Sequence, residues 1–138
     1  MMALRCIFCL ALILSSFLGF SQEVKDTIPK FYTLPSPQYK AWKTIEQEWM
    51  SKEYGKILKE NKLKMTCSGC ENIFMDAVFK IDSAGKLKEY KTVKTRKCAG
   101  EFSKKLEERF VKWFLSLTFP AELRNLRFEV RLGTGLKC

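Results

Sequence analysis

The sequence predicts an α+β domain. A three-stranded antiparallel sheet, built from a β-hairpin, a helix and a β-strand, carries helices packed on one face and is preceded by an N-terminal helix. Three observations support this. Ile73, Met75, Ala77, Phe79 and Ile81 lie on one face, with Asp76, Lys80 and Asp82 among the residues opposite, and the run ends in Asp82-Ser83-Ala84-Gly85-Lys86. Phe102, Leu106, Phe110, Trp113, Phe114 and Leu117 recur at three- and four-residue steps, a helical stripe. Beyond Asn125, Leu126, Phe128, Val130 and Leu132 alternate with Arg127, Glu129 and Arg131, the pattern of a half-buried strand.

The chain opens with Arg5, an apolar run from Cys6 to Leu14, and small residues at Gly19 and Ser21. That order reads as a secretory signal peptide over 1–21, cut before Gln22. Ser15, Ser16 and Gly19 interrupt the run, so an uncleaved membrane anchor fits less well and no stable span is expected after cleavage. The destination is then periplasmic or secreted. Residues 22–64 form a polar tail followed by an amphipathic helix. Ser36-Pro37 suits a helix start, and Tyr39, Trp42, Ile45, Trp49 and Met50 make one apolar face, with Gly55 weakening the helix near its end. Two tryptophans on a basic helix also fit a membrane-surface anchor, but covering the sheet is the favoured role.

Residues 65–138 are the domain proper. In its hairpin, Asp82 opens a type I turn and Gly85 takes the positive-φ bulge position. Lys104, Lys105, Glu107, Glu108 and Lys112 occupy the solvated side of the following helix, and Pro120 stops it.

A net charge of +10 makes anionic surfaces natural neighbours. Nucleic acid suits the charge but not the compartment, so none is expected. The absence of histidine removes Ser-His-Asp and Cys-His catalysis and the commonest zinc ligand. Glu107 with Glu108, or Glu46 with Glu48, are adjacent or near-adjacent helical carboxylates that do not converge on one substrate. No enzyme activity and no cofactor is expected.

Cys67, Cys70, Cys98 and Cys138 remain after cleavage, an even number that suggests disulfides in an exported domain. If Ile81 and Lys86 flank the turn, counting back along both strands with one residue added for the bulge sets Cys70 opposite Cys98. Cys67 and Cys138 are left for each other. The alternative uses Met65-Thr66-Cys67-Ser68-Gly69-Cys70, which matches the M-T-C-x-x-C loop of heavy-metal-associated domains. There Cys67 and Cys70 would hold a soft ion such as Cu(I). In that family a helix follows the loop, whereas the Ile/Phe/Val content here favours a strand.

Phe79-Lys80-Ile81-Asp82-Ser83-Ala84-Gly85-Lys86-Leu87, then an amphipathic helix ending Leu117-Thr118-Phe119-Pro120-Ala121, then a final strand, resembles the TonB C-terminal domain over roughly Cys70–Cys138. The resemblance implies that the last strand lies antiparallel beside the first, which would bring Cys138 toward Cys67. It also implies recognition of an extended protein segment at the edge of the last strand. Leu126, Arg127, Phe128, Glu129, Val130, Arg131 and Leu132 are the candidate partner-binding residues, with Arg127 and Arg131 selecting acidic partners. Unlike TonB proteins, this chain has only four prolines, no long proline-rich linker, and TCSGC where that family commonly carries Tyr-Pro. The expected function is an exported binding module whose partner is a protein segment or an anionic envelope component; the alternative is an exported copper-binding protein.

Overall fold

The apolar alternation from Ile73 to Ile81 becomes the central strand of the sheet. The computed structural model describes residues 27–63, 72–98 and 100–135. In it, β1 (Asn72–Ile81) pairs antiparallel with β2 (Leu87–Lys97) on one side and β3 (Arg127–Gly135) on the other, in the order β2-β1-β3. The α+β class and the antiparallel sheet are as expected. The segment 1–21 expected as a signal peptide, and Cys67, Cys70 and Cys138, lie outside the described residues.

The hairpin turn follows its sequence. Gly85 N–H donates to Asp82 O at 3.1 Å, Lys86 N–H donates to Asp82 Oδ1 at 2.8 Å, and Gly85 has φ of 77°. Any side chain at Gly85 is blocked, because a Cβ there would come within 2.6 Å of Phe119 O. Phe119 N–H in turn donates to Gly85 O at 2.7 Å, so the hairpin tip is pinned to the loop that follows the third helix.

The register differs from the one counted out of the sequence. Ile81 pairs with Leu87, as the count with one bulge residue requires, but two further irregularities follow, between Lys80 and Ile81 and between Asp76 and Ala77. These two shifts, each adding a residue to β2, carry Ile73 opposite Lys97, so continuing that register sets Asn72, not Cys70, opposite Cys98. Two residues of strand amount to about 6.6 Å, so the register itself does not set Cys70 opposite Cys98, and Cys70 lies outside the described residues. Cys98 itself is buried and disulfide-bonded, with its partner outside the described residues.

Ahead of the sheet, α1 (Ser36–Trp49), a π-helical turn (Met50–Tyr54) and α2 (Gly55–Glu60) form one continuous rod. Ser36 makes no capping bond, and Gly55 does not end the helix. In an ideal α-helix residues five apart diverge by about 140°. The wider i→i+5 turn instead lets Trp49 and Tyr54 meet, with ring centroids 5.5 Å apart. The third helix, α3 (Lys104–Ser116), starts at Ser103, whose hydroxyl accepts from Leu106 N–H at 3.2 Å.

Both helical segments lie on one face of the sheet. Trp42 stacks on Phe114 of α3 at 5.9 Å and meets Phe79 of β1 and Phe128 of β3 edge-on at 6.0 and 5.5 Å. Trp42 and Trp49 are fully buried, so they cover the sheet and do not anchor the helix to a membrane. Among the described residues, no helix is long and apolar enough to cross a membrane.

Candidate functional site

β3 is the strand that sequence and resemblance single out, and its side chains divide cleanly by face. Phe128, Val130 and Leu132 are buried under the helices, which leaves only their backbone near a partner. Leu126 is half-buried, and its carbonyl accepts from Ile81 N–H at 2.9 Å. Arg127, Glu129 and Arg131 point to the helix-free face, on the same side as Lys80, Val78 and Asp76 of β1 with which they pair.

Arg131 does more than the sequence suggested. Its Nε and Nη2 meet the two oxygens of Asp76 at 2.7 and 2.8 Å, a bidentate bridge across β1 and β3. The guanidinium also lies 4.5 Å from the Phe74 ring. The Asp76 bond holds the Arg131 pKa above its ordinary value, against the opposing effect of partial burial. A guanidinium so engaged is poorly placed to select an acidic partner, and of the two arginines Arg127 is the one without an ion pair among the described residues.

The outer edge of β3 is partly taken. Glu129 N–H donates to Pro29 O at 2.8 Å, and Lys30 forms a parallel bridge with Glu129. The segment expected as a polar tail therefore docks on the sheet edge through one isolated parallel bridge. It then turns through a 3-10 segment (Phe31–Thr33) into α1, burying Leu34. Phe31 and Tyr32 fold over the sheet edge and close a cleft of about 320 Å³ with Asp76, Glu129 and Arg131. Farther along β3, Gly133 and Thr134 border a second hollow of about 480 Å³ against Lys43, Gln47 and Met50 of the helical rod.

Nothing in the sequence pattern announced the tail or the Asp76–Arg131 bridge. Both depend on how β3 aligns with its neighbours, and no tight turn sets that alignment. A hint was present in Asp76, the one carboxylate among the apolar residues from Ile73 to Phe79.

Three of the four carboxylates weighed as acid pairs are held in ion pairs. Glu46 bonds Lys43, Glu48 bonds Lys52, and Glu107 bonds Lys104 at 3.1 Å, so each of these carboxylates is answered by a lysine of its own helical segment. Among the described residues, no group of three or more His, Cys, Asp or Glu could hold a metal. The M-T-C-x-x-C loop lies outside them, but from Asn72 the chain is strand where heavy-metal-associated domains carry a helix. No protein-family model, curated protein or solved structure matches this chain.

Proposed function

We propose that the chain is an exported, non-enzymatic binding module of the cell envelope, disulfide-stabilised and resembling the TonB C-terminal domain, that takes an extended protein segment onto the outer edge of β3. The Glu129 N–H to Pro29 O bond carries the reading, because this edge already takes a backbone carbonyl of an extended segment in an isolated parallel bridge. The buried, bonded Cys98 supports an oxidising compartment. The engaged carboxylates Glu46, Glu48 and Glu107 support a module without acid–base chemistry.

Site-specific photo-crosslinking in exporting cells tests this. With residues 27–30 deleted, so that the edge is vacated, a crosslinker at Arg127 is expected to give discrete protein adducts that disappear when Glu129→Pro removes the edge N–H. The same group at Lys88 on β2 is expected to give none. Equal adducts at both positions, or adducts indifferent to the proline, would overturn strand addition at β3.

A further inference from the structure

We infer that the helix-free face of the sheet is a docking surface for an anionic lipid bilayer. The strand registers place Lys91, Lys94 and Arg96 of β2, Lys80 of β1 and Arg127 of β3 on the side away from the helices, and all five are exposed. Among the described residues, none of these five side chains makes an ion pair, a hydrogen bond or a ring contact. Most carboxylates on the helical side are engaged. Glu46, Glu48, Glu53, Glu60 and Glu107 are all met by cations, and Asp76 is met by Arg131. Among the described residues of the three strands, Glu89 and Glu129 alone offset the five cations on the open face, so positive charge collects there.

Guarding the sheet against edge-to-edge pairing accounts for lysines along an outer strand. It does not account for Lys80, which projects from the central strand, nor for cations that pair across the face. An array spread over three strands about 4.8 Å apart presents charge to a plane, whereas a polymer would follow one row. Tyr32, 60% exposed, adjoins the same face through the cleft it shares with Asp76 and Arg131. An amphipathic ring beside long basic side chains suits the depth of lipid headgroups.

Each cation brought to an anionic surface strengthens binding about fivefold, and the effect fades beyond a Debye length. The test is co-sedimentation of the full chain with phosphatidylcholine vesicles, with and without phosphatidylglycerol. The readout is the ratio of the two affinities, because the apolar N-terminal stretch would favour both vesicles alike. A preference of at least ~100-fold for the anionic vesicles is expected at low salt, largely lost near ~0.5 M. The triple variant Lys91→Glu, Lys94→Glu, Arg96→Glu is expected to cut that ratio more than about tenfold, while Lys105→Glu with Lys112→Glu on α3 leaves it within about twofold. If the triple variant does not fold, single Gln replacements at the same three positions, each lowering the ratio about fivefold, serve instead. Equal binding to both vesicles overturns the inference, as does an equal loss from the α3 variant. So does binding of heparin without any vesicle preference, which would mark a polymer site.

Discussion

At the scale of single residues, the Asp76–Arg131 bridge is asymmetric. The Asp76 side chain is 10% exposed and that of Arg131 is 49% exposed. Removing the arginine leaves a carboxylate buried in the sheet without its cation, whereas removing the carboxylate leaves a guanidinium that water can reach. Arg131→Ala is therefore expected to cost about 2–3 kcal/mol and Asp76→Ala about 1 kcal/mol, read from urea unfolding midpoints. Equal losses would show that the pair acts through packing on Phe74 instead. Tyr54 presents a similar case. Its hydroxyl donates to Ile73 O at 3.0 Å and accepts from Thr134 N–H at 3.1 Å, standing in for a rung between β1 and β3. Gly133, at φ of 92°, gives the strand the bend that admits it. Tyr54→Phe strands both backbone groups and is expected to destabilise by about 1–3 kcal/mol. At Gly55 the sign reverses. Its backbone is helical and nothing lies within 4 Å of the point where a Cβ would stand, so Gly55→Ala is expected to stabilise by about 0.5–1 kcal/mol in the same assay.

At the scale of elements, the helical rod and α3 are joined at the surface by Arg109, which bonds Glu53 at 3.0 Å and Glu60 at 3.0 Å. The Glu53 carboxyl is held below its ordinary pKa, chiefly by the Lys56 hydrogen bond, with Arg109 adding to it and partial burial opposing. A lowered folded pKa means the unfolded chain takes up the proton first as pH falls. The contribution to stability is thus complete above the ordinary carboxylate value of 4.5 and is lost as pH drops through the folded value. Unfolding midpoints measured from pH 6 downward are expected to fall below that point, and to fall less steeply in Glu53→Gln. These elements were legible because each rests on local periodicity: the stripe from Leu106 to Phe114, the alternation of β1, the Asp82–Gly85 turn. Register was not legible, because beyond the turn at Gly85 the β2 strand accommodates two irregularities, at Lys80/Ile81 and Asp76/Ala77, and neither has a sequence signature. Leaving out both moved Cys70 to a place that Asn72 occupies. The continuity of the rod through Gly55 was also hidden, since the packing of Trp49, Tyr54 and Ile57 against the core outweighs a local preference of about 1 kcal/mol.

For the whole molecule, the question is what the residues ahead of α1 do to a sheet with two edges. The β2 edge carries five cations and irregular pairing, which discourage a partner strand. The β3 edge has instead the tail, held at Glu129 and weighted by Leu34 and by Phe31 against the core. If strand addition is what β3 does, the tail occupies its site from within, and removing it must leave an edge that seeks a replacement. A chain beginning at Phe31 is expected to stay folded, since the aromatic core from Trp42 to Phe128 is untouched. At micromolar concentrations it is expected to dimerise through β3, whereas the intact chain does not, as light scattering would show. A peptide spanning residues 24–30, supplied in trans, competes for the same N–H groups and is expected to return the shortened chain to monomer. Glu129→Pro is expected to abolish both the dimer and the response to peptide. A shortened chain that remains monomeric and ignores the peptide would mean that the tail is packing alone, and that the edge beneath it has no appetite for a strand.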